Sequence, residues 1–223
     1  MNRSIFILVI AATLFVGCES TNSPESNGTK KHEYVDLGLS VKWATCNVGA
    51  STPEEYGDYF AWGEVEPKEE YSWGTYKWCN GSNNTQTKYC TNSVYGTIDN
   101  RTVLEASDDA AAVNWGGVWR MPTYEEQDEL LNNCTWTWTT QNGVNGYTVT
   151  GPNGNRIFLP AAGYRIDSSL DRAGSYGDYW SSSLDTDDSD GAWDLGFYLG
   201  DVSRYSHYVN VRHYGLPVRA VCE

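Results

Sequence analysis

Trp119-Arg120-Met121-Pro122-Thr123-Tyr124-Glu125-Glu126 is the stretch on which the fold turns. Thr123 can offer its side-chain oxygen to the orphan N–H groups of a helix start. Glu126 stands three residues later, which completes a capping box. Behind it Tyr124, Gln127, Leu130, Leu131 and Cys134 follow one helical stripe, mostly apolar, and Asn132-Asn133 weakens the helix end. Past Cys134 the period changes from that of a helix to that of a strand. Thr135-Trp136-Thr137-Trp138-Thr139 alternates cleanly. Asn142-Gly143 and Asn145-Gly146 are turn signals, and Tyr147-Thr148-Val149-Thr150 is the next expected strand. Gly151 to Asn155 turns the chain again, and Arg156-Ile157-Phe158-Leu159 returns, giving an antiparallel meander that Pro160 and Gly163 break.

Outward from this segment, Ser107 is the expected cap of a helix over Asp108 to Trp115, stopped by Gly116-Gly117. On the N-terminal side, Tyr34 to Leu37 and Val41 to Thr45 read as short strands around a Gly38-Leu39-Ser40 turn. Tyr56 to Gly63 reads as a short aromatic strand, and Pro67 to Asn100 as a long polar loop packed by its aromatics. On the C-terminal side, strands are expected at Tyr179–Ser182, Trp193–Leu199, Tyr208–Arg212 and Leu216–Cys222. Helices come early, antiparallel strands come late, and no βαβ run occurs, which argues an α+β fold. Tyr56-Gly57-Asp58-Tyr59-Phe60 is echoed by Tyr176-Gly177-Asp178-Tyr179-Trp180. The flanks do not repeat at a fixed period, so the echo reads as two similar turn-into-strand solutions rather than a solenoid.

The N-terminus carries a different message. Arg3, an apolar run from Ile5 to Val16 and the small Gly17 describe a secretory signal peptide over residues 1–17. That run falls short of the roughly 20 residues of a membrane-spanning helix. The ending Leu14-Phe15-Val16-Gly17-Cys18 resembles a bacterial lipobox, a signal in which the cysteine is lipidated and becomes the mature N-terminus. The resemblance implies an exported lipoprotein, held on the outer membrane or cell surface through Cys18. Residues 19–33 contain no large apolar side chain and read, with Cys18, as a flexible tether over 18–33. The remainder, 34–223, suits a single domain. A net charge of −14 disfavours nucleic acid and anionic lipid as partners.

Besides Cys18 there are Cys46, Cys79, Cys90, Cys134 and Cys222, in a compartment that permits disulfides. Cys79 and Cys90 flank a polar loop that a disulfide could close. Among Cys46, Cys134 and Cys222 at most one further pair can form, and spacing alone does not choose it.

Several motifs in order, Asp36-Leu37-Gly38-Leu39-Ser40-Val41-Lys42-Trp43-Ala44, Tyr56 to Glu64, Trp119 to Thr123, Leu159-Pro160-Ala161-Ala162-Gly163-Tyr164-Arg165, Tyr179 to Ser183 and Pro217 to Val221, look like one family. They resemble the major paralogous domain first noted in Fibrobacter succinogenes and common in exported proteins of Bacteroides-like bacteria. The resemblance spans residues 34–222. Through that family it implies a C-type-lectin-like fold, with two helices on short antiparallel sheets, long loops, neighbouring termini and a central last strand. It also implies a Cys134–Cys222 disulfide, with Cys46 left as a thiol beside a Cys79–Cys90 loop. No activity comes with the resemblance. The segment Trp119 to Glu126 is also similar to the helix start of formylglycine-generating enzymes. Those use two active cysteines near the C-terminus, where this chain has only Cys222.

Two candidate sites follow from the residues. Asp185, Asp187, Asp188 and Asp190, with Asp194 beyond, are hard oxygen ligands of the kind calcium takes. An EF-hand is excluded, because Phe197 falls where its bidentate glutamate belongs, and the lectin-like Glu-Pro-Asn signature is absent, Glu66-Pro67-Lys68 being the nearest string. Ten tryptophans and sixteen tyrosines are the second signal. Trp73, Tyr76, Trp78 and Tyr89 lie in the loop-rich stretch and are the expected exposed rings for stacking on a sugar. His32, His207 and His213 are the only histidines, and neither a nucleophile elbow nor a nucleotide-binding glycine motif occurs. The sequence therefore points to a non-catalytic binding module for glycan or protein. A structural component of a surface assembly is the alternative. An exposed aromatic groove would favour the first, and an unpaired edge strand the second.

Overall fold

The computed structural model describes residues 16–17, 32–198 and 209–223. Cys18, most of the signal segment, the tether up to residue 31, Leu199, His207 and Tyr208 lie outside the described residues. Among the described residues four antiparallel sheets carry the fold. The strands β1 (Val16–Gly17), β2 (Glu33–Val35), β3 (Lys42–Ala44) and β12 (Val221–Cys222) form one, in the order β1-β2-β3-β12. A second holds β4 (Thr135–Gln141), β5 (Val144–Thr150) and β6 (Arg156–Pro160). The third places β10 (Gly191–Tyr198) between β9 (Tyr176–Leu184) and β11 (Val209–Val211), and β7 (Tyr164–Ile166) pairs with β8 (Ser169–Asp171) as a hairpin. With two helices, α1 (Ala110–Trp115) and α2 (Tyr124–Asn133), the architecture is α+β.

The capping box forms as the sequence requires. Thr123 accepts from the Glu126 N–H, and the Glu126 carboxylate accepts from the Thr123 N–H at 2.8 Å. The same carboxylate takes a bidentate pair from Arg120 at 2.6 and 2.7 Å, while the Arg120 backbone pairs with Val221. The motif therefore bolts the start of α2 to the last strand. β12 is thereby enclosed, with β3 on one side (Trp43 opposite Val221) and Arg120 on the other. The first and last strands of the folded part meet in one sheet.

The cap of α1 departs from the sequence reading. Ser107 lies in a short 3₁₀ turn, Ala106–Asp108, and Asp109 is the N-cap, accepting from Ala112 N–H at 2.9 Å. Asp109 also accepts from Met121 N–H at 2.8 Å, so the carboxylate that reaches two donors wins over the hydroxyl. Asn145-Gly146, expected to turn, lies inside β5 instead. Asn142-Gly143 alone makes the hairpin, with both residues at positive φ as a type I′ turn needs. The expected strand over Tyr56–Gly63 is reduced to a single bridge, Phe60 to Leu216.

The echo has a physical explanation. The Tyr59 hydroxyl donates to the Ala162 carbonyl and the Tyr179 hydroxyl to the Pro160 carbonyl, both at 2.6 Å. Trp180 Nε1 then donates to the Phe60 carbonyl at 2.8 Å. The tyrosines of both copies thus converge on one short segment, Pro160 to Ala162. Gly177 is required there, since a Cβ would stand 2.2 Å from the Phe197 ring. One core packs Trp62, Trp180, Phe60 and Leu216 below α1. A second packs Leu130, Tyr147, Leu159, Leu195 and Phe197 between α2 and the β4-β5-β6 sheet.

Candidate functional site

A buried arginine organises the loop-rich stretch. Arg212 follows β11 and is fully buried. Its guanidinium donates to the Tyr76 hydroxyl (2.9 Å) and to the carbonyls of Tyr89 (3.0 Å), Ser189 (3.0 Å) and Lys88 (3.1 Å). It lies over the rings of Trp62, Tyr76 and Tyr89 at 4.9, 5.3 and 6.0 Å. The positive charge is thus met by dipoles and π-faces, and it ties loop 76–89 to the acidic segment and the last strands.

This arrangement corrects the reading of the four loop aromatics. Tyr76 and Tyr89 are buried rather than exposed. Tyr76 donates to the Trp62 carbonyl at 2.7 Å and Tyr89 to the Asp108 carboxylate at 2.7 Å. A loop this long has no ladder to hold it, so its largest rings become its core. Trp78 is half-buried, but its ring is taken: the ammonium groups of Lys77 and Lys88 stand 4.2 and 4.8 Å from it, and its Nε1 donates to the Gly63 carbonyl. Trp73 is half-buried against Tyr76 and His213, with centroids 5.7 and 4.5 Å away.

The acidic segment is wired into the same loop. Asp190 accepts from Asn83 Nδ2 at 2.8 Å, and Asp185 accepts from the Asp187 N–H at 2.9 Å. Thr91 donates to the Thr186 carbonyl and shares a 2.8 Å contact with Ser189. Burial raises the Asp190 carboxyl, with Asn83 opposing and the Asp188 charge adding to the rise. A hydrogen bond to Asp188 pushes the Tyr95 phenol up to about 12. Asp185 and Asp194 are buried, Asp194 on β10, while Asp187 and Asp188 are exposed. The five carboxylates are therefore spread over a turn and a strand. Among the described residues no group of three His, Cys, Asp or Glu side chains could hold a metal ion.

Neither expected disulfide is present. The Cys79 thiol donates to the Trp73 carbonyl at 3.3 Å, and Cys90 to the Asn92 carbonyl at 3.1 Å. Each thiol is thus engaged by a backbone carbonyl near its own position, and Cys79 bridges to Gln86 rather than to Cys90. Cys134 ends α2 and is half-buried, its thiol pushed up to about 11 by burial, with Glu129 adding. Burial likewise raises Cys46. Both thiols are protonated at neutral pH and are weak nucleophiles.

Three features escaped the sequence. First, a run of rings and one guanidinium leads away from Trp73. His213 lies 4.8 Å from Tyr214, and Tyr214 stacks on Tyr164 at 5.5 Å and 5°. Arg172 then stands 5.8 Å from Tyr164 and 4.6 Å from Tyr176, which stacks on Tyr198 at 5.5 Å. Its members come from four separate segments, so no local pattern announces it. Second, a shallow apolar groove of about 150 Å³ runs beside Val35, Thr45, Pro53, Thr148, Arg156 and Phe158. It is smaller than the roughly 300 Å³ at which small-molecule sites begin. Third, among the described residues β4 pairs only with β5 and is the outer strand of its sheet. It runs seven residues without charge, glycine or proline, and Thr135, Thr137 and Thr140 are exposed. Edge strands are ordinarily shielded by those residue types.

No family model, curated protein or solved structure matches the chain.

Proposed function

We propose that this chain is an exported, lipid-anchored, non-catalytic binding module of C-type-lectin-like architecture, held through Cys18 at the outer membrane or cell surface and directed at a protein partner. The observation that carries the reading is the contrast between the loop aromatics and the sheet edge. Tyr76, Tyr89 and Trp78 are occupied by Arg212, Asp108 and two lysines. Among the described residues no strand pairs with the outer, uncharged backbone edge of β4. An open edge offers main-chain hydrogen bonds, which is how extended segments are recognised. The lipid anchor rests on the lipobox-like end at Cys18, and the lectin-like architecture on the ordered motifs over residues 34–222.

A glycan is the second reading, favoured by Trp73 and the stacked Tyr164–Tyr214 pair with Arg172 nearby. One experiment separates the two. The full-length chain is applied to a glycan array with and without calcium, and in parallel is captured from intact cells with its neighbours cross-linked. The protein-directed reading expects no saturable glycan and one fixed partner in constant ratio. Saturable glycan binding lost in Trp73→Ala would replace it with the second reading.

A further inference from the structure

Strand β9 carries a buried acid that no donor satisfies. Asp178 is 8% exposed, lies opposite Gly196 and leaves Oδ2 without a hydrogen-bond partner. A buried polar atom left unpaired is a cost that a ligand's donor would remove. Gly196 sets no side chain beside it. Strand alternation puts Asp178 on the same face of β9 as Tyr176, two residues earlier. A turn brings Arg172 to that face: the Tyr176 N–H donates to the Arg172 carbonyl at 3.0 Å, and Arg172 takes a left-handed φ of 58°. Its guanidinium then stands 4.6 Å from the Tyr176 ring and 5.8 Å from the Tyr164 ring. Burial raises the Asp178 carboxyl and the Arg172 charge opposes the rise, so the two groups feel one another. They do not touch, since no nitrogen–oxygen pair between them comes within 4.0 Å. Among the described residues the Arg172 guanidinium has ring neighbours and no acceptor.

We propose that Arg172, Asp178 and the rings of Tyr164 and Tyr176 form a site for a primary carboxamide, the side chain of an asparagine or glutamine of the protein partner. The site rests on the protein-directed reading and adds a contact away from the β4 edge. An unpaired guanidinium offers donors only, and a carboxyl beside it offers an acceptor. The group that satisfies both carries an acceptor and a donor side by side. A carboxamide does so: its carbonyl accepts from Arg172 and its N–H donates to Asp178. Rotation about the last torsion of Asp178 exchanges the two oxygens, so either can turn to that donor. The amide is planar and lies flat against a tyrosine ring. Charge selects the same ligand. A cation meets Arg172. An anion meets Asp171, next in sequence to Arg172, and a chain of −14. A neutral group meets neither objection.

Proton–nitrogen correlation spectra of the full-length chain in non-ionic detergent, titrated with propionamide, test the site. So small a ligand binds in the millimolar range. Saturable shifts are expected at the backbone amides of Asp178, Gly196 and Tyr164, and propionate at the same concentrations should give none. Arg172→Met and Asp178→Leu should each raise the dissociation constant about tenfold or more, because each removes one of the two bonds. Asp178→Asn keeps an accepting oxygen and should stay within about threefold of wild type. Thermal melts of the three variants check that the fold is kept. Absence of saturable shifts overturns the proposal, as do shifts that Arg172→Met or Asp178→Leu leaves in place. Tighter binding of propionate overturns the neutral ligand, and tighter binding of N-acetylglucosamine gives the site to the glycan reading. A silent site in a chain that still cross-links to one partner in constant ratio overturns the site and leaves the protein-directed reading standing. Propionamide binding in a chain with no fixed partner overturns the assignment to a protein side chain.

Discussion

Asp178→Asn is the most informative single substitution for stability. Asp178 sits on β9 opposite Gly196, is 8% exposed, and its Oδ2 has no hydrogen-bond partner. Burial pushes its carboxyl from 3.8 up to about 7, with Arg172 only partly opposing. A raised carboxyl destabilises the fold at neutral pH. The unfolded chain ionises Asp178 above pH 3.8 while the folded chain holds the proton, so stability falls as pH rises from about 4 to about 7. At 1.36 kcal/mol per unit, the full window amounts to about 4 kcal/mol. His213 works in the opposite sense. Its ring is 8% exposed with Nδ1 unpartnered, and burial pulls it from 6.5 down to about 4, Asp167 opposing and Lys68 reinforcing. The unfolded chain protonates there first, so stability is lost as pH falls from 6.5 to about 4, by about 3 kcal/mol. The two groups offset one another, and wild type should show a shallow profile between about pH 4 and pH 6.5. In Asp178→Asn the carboxylate limb disappears. Urea denaturation should find the variant more stable than wild type by about 2–4 kcal/mol near pH 7.5 and by much less near pH 4.5, with the histidine limb now visible. A variant destabilised near pH 7.5, and less so near pH 4.5, would refute the reasoning, because Asp178 would then be ionised and paired in the folded state.

Thr123→Ala should remove the accepting half of the capping box and cost about 1 kcal/mol by thermal or chemical denaturation, leaving α2 in place. Arg212→Met should cost about 3 kcal/mol, because the Tyr76 hydroxyl and three carbonyls lose their donor. Limited proteolysis should then cut within residues 64–100 while the β4-β5-β6 sheet stays intact. Calcium is expected to leave the melting temperature unchanged, since Asp185, Asp187, Asp188, Asp190 and Asp194 do not converge. A calcium-dependent rise that vanishes in Asp188→Ala/Asp190→Ala would establish a metal site there.

What could be read from the sequence was what local chemistry decides. Thr123 and Glu126 announce a capping box because both partners lie within one turn, and the Thr-Trp alternation announces β4 because side-chain period is a backbone property. Failures occurred where a distant group decided the outcome. Asp109 displaced Ser107 as cap because Met121, twelve residues away, adds a second donor. Tyr76 and Tyr89 looked like exposed loop rings because nothing nearby signals Arg212, which arrives from the far end of the chain. Asn145-Gly146 has a turn composition, yet the Gly146 backbone lies so close to Leu159 and Pro160 that only glycine fits the strand there. The hairpin of β7 and β8 follows two breakers, Pro160 and Gly163, which hid it. The β4 strand was foreseen, but its position at the outside of its sheet is a matter of topology and is invisible to periodicity.

Amide hydrogen exchange along β4, measured on the full-length chain alone and with the protein partner captured from cells, tests the central claim most directly. Thr137 and Thr139, bonded to β5, should stay protected in both. Trp136, Trp138 and Thr140, whose N–H groups face away from β5, should be protected in the complex and exchange freely in the chain alone. Exchange of those three at the open rate under both conditions, with Thr137 and Thr139 protected, would show an edge that the partner does not cover and would contradict the account.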